Sequence, residues 1–327
     1  MKIAAYEVRE DERSYFQEFA ALYHCELVMT EQVLTEDTLS LAQGCDGITI
    51  LGQSHLTDAL LDRVQALGIR GIATRTIGYN HIDIAHSKQI GLPVCNSNYG
   101  PGGVADYTVM LLLMCLRNYK QALFRLQVND YSLTGLLGRE MQNLTVGIIG
   151  TGRIGLAVLE RLHGFGCHLL AYDPHPNDKG RTLAEYKSLD EIFSYCDVIS
   201  LHVPLLPETR HLINENTISQ CKDGVIIINC ARGELISLPS AIKGIESRRI
   251  GALGLDVVEN EEGIYHHDLR SSIIRNADMA YLRQFPNVIM TPHMAFYTDA
   301  ATRDMVHCGV KNLLDIIHDE PCSTRII

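Results

Sequence analysis

The sequence predicts an α/β fold made of two doubly wound domains, each built on a parallel sheet. Short apolar segments alternate with amphipathic helical ones over residues 1–95, and a second alternation begins at residue 144. Such alternation is typical of a parallel sheet covered by helices. Between the two regions, residues 96–103 are dense in Asn, Gly, Pro and Ser, which favour turns. We therefore expect the chain to cross between domains near residue 100.

The first alternating region predicts a small sheet with its own core. Its predicted strands are residues 3–7, 26–29, 47–51, 69–73 and 92–95. Its predicted helices are residues 12–23, 57–66 and 82–89, each ending near Gly or a polar residue. The first domain is thus a flavodoxin-like α/β unit in this interpretation.

The second region begins with a long apolar helix, predicted over residues 104–124. Strands are predicted at residues 144–149, 167–172, 198–201, 225–229, 252–255 and 288–290. The last predicted helix, residues 300–318, has no strand left to pair with in this sheet, so we expect it to return to the first domain. The predicted boundaries are 1–99 plus 298–327 for the first domain and 100–297 for the second.

The turn after the strand at residues 144–149 has the glycine spacing of a dinucleotide-binding unit. Gly150 would permit the tight turn, Gly152 would let the backbone approach a pyrophosphate, and Gly155 would let the next helix pack closely. A helix that begins with Arg153 and Ile154 would direct its unpaired N–H groups at the phosphates. The motif therefore predicts a Rossmann domain that binds a dinucleotide.

An acidic residue after the second strand indicates which dinucleotide. Asp173 lies 18 residues beyond Gly155, close to the spacing of about 20 for an acid that binds the ribose. Its carboxylate would accept hydrogen bonds from ribose hydroxyls and repel a 2′-phosphate. The sequence thus favours NAD over NADP, although Lys179 and Arg181 are near enough in sequence to leave NADP open.

Charge and cysteine content exclude several classes of partner. The 327 residues carry a formal net charge of −11, which disfavours nucleic acid and anionic membrane surfaces, since both attract basic proteins. The ten cysteines show no zinc-like spacing, so we interpret them as reduced thiols and expect no metal. No apolar run approaches the ~20 residues of a membrane span, and the N-terminus lacks a signal-peptide core. We expect a cytoplasmic protein.

Polar residues follow three strands of the second domain, at the edge where parallel sheets bind ligands. Arg232 follows the strand at residues 225–229, and its guanidinium could hold a carboxylate through two hydrogen bonds. His293 follows the last strand and could donate and recover a proton during carbonyl reduction. Glu261 could hold the other nitrogen of that histidine. These residues predict a site that reduces a 2-oxo acid.

Each candidate also has an ordinary structural interpretation. Arg232 could pair with Glu234 at the surface, and His293 is one of fourteen histidines. The acids at residues 259–262 could belong to a solvated loop. We interpret His266 and His267 as a solvated loop and not a metal site, because adjacent side chains point apart and no third ligand is suitably spaced.

Six segments resemble the D-2-hydroxyacid dehydrogenase family, and the resemblance covers essentially the whole chain. They are residues 74–83, 146–155, 199–205, 228–233, 255–261 and 291–298. Within the family, the chain is similar to bacterial D-lactate dehydrogenases, including those found with glycopeptide-antibiotic resistance. The resemblance implies that Arg232 orients and polarises the substrate, that His293 is the proton donor, and that Glu261 pairs with His293.

The resemblance also implies residues that bind substrate and cofactor. The substrate carboxylate would meet backbone N–H groups near Ile77 and Gly78, and Tyr99 and Phe296 would line the pocket. Besides the glycine turn, the residues expected to contact NAD are Asp173, Val203, Pro204, Thr209, Cys230, Ala231 and Asp256. The family further implies a homodimer formed through the nucleotide domain. The apolar helix from residue 104 could supply that interface, or it could be a buried core helix.

These implications favour an NAD-dependent enzyme that reduces pyruvate to D-lactate. Asn260 and the loop at residues 100–103 depart from the pattern common in lactate enzymes, so bulkier substrates such as phenylpyruvate or 2-oxoisocaproate remain an alternative. A third alternative is an NAD-sensing protein of the corepressor kind, because fold does not fix function.

Overall fold

The computed structural model describes residues 1–327 as two compact units. The first unit comprises Met1–Gly100 and Tyr297–Ile327, and the second comprises Pro101–Phe296. In chain order the strands and α-helices are β1 (Lys2–Ala5), α1 (Arg13–Leu22), β2 (Glu26–Met29), β3 (Gly47–Ile50), α2 (Asp58–Ala66), β4 (Ile72–Thr74), α3 (Ile84–Ile90), β5 (Val94–Cys95), α4 (Gly102–Leu116), α5 (Tyr119–Gln127), β6 (Thr145–Ile149), α6 (Arg153–His163), β7 (His168–Tyr172), α7 (Asp178–Leu183), β8 (Glu185–Tyr186), α8 (Leu189–Tyr195), β9 (Val198–Leu201), α9 (Glu215–Gln220), β10 (Val225–Asn229), α10 (Leu238–Glu246), β11 (Ile250–Leu255), α11 (Ala277–Leu282), β12 (Val288–Met290) and α12 (Asp299–Ile317).

The first unit is built on a five-stranded parallel sheet in the order β2-β1-β3-β4-β5. This is the flavodoxin-like strand order, so the predicted fold of this region is confirmed. Side chains of Thr57, Asp83 and Thr298 accept backbone N–H groups at the starts of α2, α3 and α12, which fixes where these helices begin. Helix α12 packs on α1, β3 and β4, so the last helix does return to this unit.

A buried ion pair joins the residue before α1 to the residue after β4. Arg75 and Glu12 are both 0% exposed, and the Arg75 Nε donates to Glu12 Oε1 over 3.1 Å. The Arg75 Nη2 also donates to the carbonyl oxygens of Tyr6 and Glu7, over 3.0 and 3.1 Å. Such a pair is stable only when its remaining hydrogen bonds are satisfied, and here several donors of Arg75 have acceptors.

The second unit contains a seven-stranded parallel sheet in the order β12-β11-β10-β9-β6-β7-β8. From β8 to β11 this is the strand order of dinucleotide-binding folds, and the order reverses between β6 and β9. The carboxyl ends of these two strands therefore define the expected ligand edge. Strand β8 was not predicted, because two residues are too few to show a periodic pattern.

The prediction of one continuous helix over residues 104–124 is wrong, because this region forms two helices, α4 and α5. Asn118 adopts φ +50° between α4 and α5, a left-handed conformation that asparagine tolerates and that ends α4. Helix α4 buries most of its apolar residues in the core of the second unit, so it is a core helix. None of the helices is both long and apolar enough to cross a membrane.

We expect His202, which follows β9, to make the free energy of unfolding depend on pH. Its Nε2 lies 2.9 Å from Ser200 Oγ, and desolvation lowers its pKa from 6.5 to about 4. Because the unfolded chain binds this proton more readily, the stabilisation is present above pH 6.5 and is lost as pH falls towards 4. We expect a loss of about 2 kcal/mol between pH 7 and pH 5 from this group.

The measurement is urea unfolding of the wild type and of His202→Gln at both pH values. Glutamine keeps a polar partner for Ser200 but cannot be protonated in this range. The wild type should lose more stability than the variant by about that amount. Equal losses would show that His202 is not the group responsible.

Candidate active site

The glycine turn after β6 is shaped for a phosphate. Gly150 has φ +95°, and a Cβ placed on Gly155 would lie 1.9 Å from the carbonyl oxygen of Gly150, so neither position accepts a larger residue. A Cβ on Gly152 would meet no atom within 4 Å, which shows open space directly before α6. Because α6 begins at Arg153 and Ile154, its unpaired N–H groups border this space. The turn fits the pyrophosphate of a dinucleotide.

Asp173 is held beside this turn by its hydrogen bonds. Its Oδ2 accepts the N–H of Thr151 over 2.7 Å, and its Oδ1 accepts the N–H of His175 over 2.8 Å. The carboxylate retains lone pairs for ribose hydroxyls. The two nearby cations have other partners, because Lys179 pairs with Glu160 at 2.5 Å and Arg181 stacks over the ring of Tyr186. The local charge therefore favours NAD over NADP.

The other predicted cofactor residues gather at the same sheet edge. Strand β9 pairs with β6 and with β10, so the loops after these three strands are neighbours. A Cβ on Gly150 would lie 2.9 Å from Val203 Cγ1. Thr209 closes the loop after β9, since its Oγ1 donates to the carbonyl of Pro204 over 2.7 Å. After β10, Cys230 is 9% exposed, and the N–H of Ala231 donates to Asn229.

His293 and Glu261 form a direct pair. The Nδ1 of His293 lies 2.5 Å from Glu261 Oε1, while Oε2 of the same carboxylate accepts the N–H of Val258 over 2.8 Å. Since a carboxylate is an acceptor, Nδ1 carries the proton and donates it. The other ring nitrogen, Nε2, is then the one available to a substrate. His293 has φ +51°, a conformation that costs backbone energy and is common at functional sites.

Asp256 fixes the backbone around His293. It is 0% exposed, and its carboxylate accepts Thr291 Oγ1 at 2.6 Å and the N–H groups of Met294 and Ala295 at 2.9 and 2.8 Å. Its carbonyl accepts the N–H of His293 over 2.8 Å. Asp256 thus holds the main chain on both sides of the catalytic candidate, and it exposes no surface for a ligand to touch.

Arg232 is half-buried and has no carboxylate partner. Its Nη1 donates to the carbonyl of Ala231 over 2.6 Å, and no ion pair with Glu234 forms, so its other N–H donors remain available. Gly233 places this loop against the acidic one, because a Cβ there would lie 2.1 Å from the carbonyl carbon of Val258. Arg232 and the Glu261 loop are therefore close neighbours.

In the first unit, the loop after β4 presents free backbone donors. The carbonyl of Ile77 accepts Asn96 Nδ2 over 2.6 Å, and the carbonyl of Gly78 accepts Thr76 Oγ1 over 2.6 Å. The N–H groups of Ile77 and Gly78 make no hydrogen bond within the chain. Two adjacent free donors are suited to an anion. Tyr99, in the same unit, is 9% exposed.

Sequence reasoning missed three residues that shape these sites. Thr76 and Asn96 orient the loop after β4, and Asn96 acts from nineteen positions away, which no local motif reveals. His266 was interpreted as solvated. It is exposed, but its Nε2 lies 3.1 Å from the carbonyl oxygen of His293. Its ring is also near His293 and Phe296.

Comparisons with known proteins agree with this geometry. Residues 109–295 match the family described as D-isomer specific 2-hydroxyacid dehydrogenase, NAD binding domain. An aromatic 2-oxoacid reductase of Clostridium sporogenes is 42% identical over 99% of each chain. A D-lactate dehydrogenase of Escherichia coli is 36% identical over the full length of both. The NAD-complexed D-isomer specific 2-hydroxyacid dehydrogenase of Lactobacillus delbrueckii ssp. bulgaricus superposes with a TM-score of 0.87, at 31% identity, over all of both chains.

The chain belongs to the D-isomer specific 2-hydroxyacid dehydrogenase family. It is an oxidoreductase that uses NAD and acts on D-2-hydroxy acids. The family and the cofactor predicted from the sequence are thus confirmed, and the sensor alternative is set aside.

Proposed function

We propose that this dehydrogenase reduces 2-oxo acids with aromatic side chains to the corresponding D-2-hydroxy acids. The chemistry rests on one observation above all, the hydrogen bond between Glu261 and Nδ1 of His293. The choice of substrate is supported by the 42% identity to an aromatic 2-oxoacid reductase. It is also supported by the ring of Phe296, whose centroid lies 6.2 Å from that of His293 in an edge-on arrangement.

The catalytic step assigned to His293 is proton transfer. NADH, when bound, supplies the hydride that the carbonyl carbon receives. Because Glu261 holds Nδ1–H, the His293 ring presents Nε2 and donates its proton to the carbonyl oxygen during reduction. The same nitrogen takes the proton back during oxidation of the hydroxy acid. Glu261 stabilises the protonated ring and keeps its orientation.

The substrate carboxylate is assigned to Arg232, whose free N–H donors match two carboxylate oxygens. The family resemblance also assigns substrate binding to the free N–H groups of Ile77 and Gly78. The same resemblance assigns Tyr99 and Phe296 to binding of the substrate side chain. Residues 1–99 plus 298–327 are accordingly assigned to the substrate domain.

Residues 100–297 are the NAD-binding domain in this proposal. Gly150, Gly152, Arg153, Ile154 and Gly155 hold the pyrophosphate, and Asp173 binds the adenosine ribose. The remaining contacts are assigned to Val203, Pro204, Thr209, Cys230 and Ala231. For Asp256, complete burial supports an indirect role, in which it positions the His293 loop and does not touch NAD.

Reduction of pyruvate to D-lactate is a second candidate activity. It is favoured by the D-lactate dehydrogenase that matches the whole chain at 36% identity. Both activities use the same catalytic residues, and they differ only in the pocket that receives the substrate side chain.

The test of the proposed function compares kcat/KM for phenylpyruvate, 2-oxoisocaproate and pyruvate, with NADH oxidation followed at 340 nm. A higher kcat/KM for phenylpyruvate than for pyruvate supports the proposal. A preference for pyruvate would assign the enzyme to D-lactate formation instead. Failure to oxidise NADH with any of the three would contradict both candidates.

We further propose that the enzyme is a cytoplasmic homodimer. All ten cysteines are free thiols, which suits a reducing compartment. Helix α5 and the segment after it expose apolar side chains that a monomer would leave in water. They include Leu123, Phe124, Leu126, Val128, Tyr131, Leu133 and Leu137, which are 43% to 93% exposed. This surface, and not the buried helix α4, supports a contact with a second copy of the chain.

Replacing two of these residues should break the dimer. Leu133 and Leu137 are 83% and 93% exposed, so Leu133→Asp with Leu137→Asp should leave each unit folded but bury charge in the interface. Light scattering after size exclusion should then show the mass of one chain, against two for the wild type. Leu22→Asp, at an exposed site on α1, is the matched control and should stay dimeric. A dimeric double variant would contradict this interface.

A further inference from the structure

The ring of His293, the proton-transfer group, forms a cluster with two other aromatic rings. The ring centroid of His266 lies 6.1 Å from that of His293 and 6.4 Å from that of Phe296. The His293 and Phe296 centroids are 6.2 Å apart. The planes meet at 47°, 71° and 80°, and tilted or edge-on arrangements at such distances are attractive. His293 transfers the proton and Phe296 is assigned to the substrate, whereas His266 has no role in the proposed function.

His266 is fixed relative to the catalytic pair at two points. Its Nε2 lies 3.1 Å from the carbonyl oxygen of His293, and because a carbonyl only accepts, this nitrogen carries the proton. The N–H groups of Ile264 and Tyr265 both donate to the carbonyl of Glu261, over 3.0 and 3.1 Å. The main chain just before His266 is therefore hydrogen-bonded to Glu261, and the His266 ring is hydrogen-bonded to the main chain of His293.

His266 is also open to a ligand. His266 is an exposed residue. The two groups that fix its position are main-chain carbonyls, those of His293 and Glu261. The hydrogen bond of Nε2 lies in the plane of the ring, and the hydrogen bonds of Ile264 and Tyr265 involve only the main chain, so none of them covers a face of the imidazole. An imidazole held in this way offers a flat surface at a set distance from the group that protonates the substrate.

We propose that His266 is a specificity-determining residue, which together with Phe296 forms an aromatic wall for the aryl group of the substrate. The inference rests on the proposed function, since only an aryl substrate fills such a wall. A phenyl ring gains contact with both side chains, whereas the methyl group of pyruvate is too small to do so. One aromatic contact of this kind changes a binding constant by about 2- to 12-fold.

The test uses His266→Leu, which removes the ring and its N–H, and His266→Phe, which restores only a ring. We expect His266→Leu to lower the ratio of kcat/KM for phenylpyruvate to that for pyruvate by about 2- to 12-fold. The loss should appear mainly as a raised KM for phenylpyruvate. His266→Phe should recover the wild-type ratio. His267→Ala, at the exposed neighbouring position, is the control and should leave both substrates unaffected.

Other outcomes overturn the inference in distinguishable ways. An equal fall for both substrates in His266→Leu would mean that His266 only supports the main chain of His293. A ratio that does not move, or one that His266→Phe fails to restore, would remove the aromatic wall while leaving the proposed function intact. A wild type that prefers pyruvate would overturn the proposed substrate itself, and the inference with it.

Discussion

His293→Gln should lower kcat for 2-oxo acid reduction by about 10²- to 10⁴-fold, the usual contribution of general acid–base catalysis. Glutamine approximates the reach of the ring but cannot give a proton to the developing alkoxide. The Glu261 carboxylate would keep a hydrogen-bond partner, since the amide can donate. Because His293 is not among the residues assigned to the cofactor, NADH affinity should stay close to the wild-type value. Stopped-flow reduction and NADH fluorescence titration measure the two quantities separately.

Two further variants control this result. Glu261→Gln keeps a hydrogen-bond acceptor but removes the charge that stabilises the protonated ring, so it should lower kcat less than loss of the histidine does. His267→Gln makes the same exchange at an exposed histidine with no assigned role and should retain full activity. A fall of less than about 10-fold in His293→Gln would contradict the role of His293 as the proton donor.

Arg75→Met should destabilise the protein by about 3–5 kcal/mol, as expected when one partner of a buried ion pair is removed. The substitution leaves the Glu12 carboxylate in a site with 0% exposure, where the more distant Arg9, whose Nη2 lies 3.7 Å from Glu12 Oε1, is its remaining cation. It also frees the carbonyl oxygens of Tyr6 and Glu7 that Arg75 Nη2 holds. Urea unfolding followed by circular dichroism measures the change.

A surface pair provides the matched control. Arg63 and Glu36 also form an ion pair, but their side chains are 52% and 58% exposed, so Arg63→Met should cost no more than about 1 kcal/mol. The double variant Arg75→Met with Glu12→Leu should recover much of the loss, because it also removes the buried carboxylate that has lost its hydrogen bonds to Arg75. Equal costs for Arg75→Met and Arg63→Met would show that burial does not govern the pair.

Most of the fold could be predicted because each strand carries a local signal. The strands Glu26–Met29, Val198–Leu201, Val225–Asn229 and Val288–Met290 have the predicted bounds. The error at Asn118 has a physical cause. No Gly or Pro marks residues 104–124, and the apolar pattern continues through the position where a left-handed asparagine divides α4 from α5.

The candidate site was predicted where a motif fixes both the residue and its place on a strand end. Glu261 and His293 follow β11 and β12, which are paired strands, so their contact follows from the sheet. Side chains that act through long-range hydrogen bonds could not be predicted. The carboxylate of Asp256 is occupied by residues 291–295, and this depends on how a loop folds back. The position of His266 depends on the same segment, residues 291–295, because its ring is hydrogen-bonded to the carbonyl of His293.

The most direct test of the central claim is the product formed from phenylpyruvate and NADH, resolved by chiral chromatography. We predict D-phenyllactate alone, in an amount equal to the NADH oxidised, and none with His293→Gln on the same timescale. L-phenyllactate, a racemic product, or NADH oxidation without hydroxy acid would contradict the account.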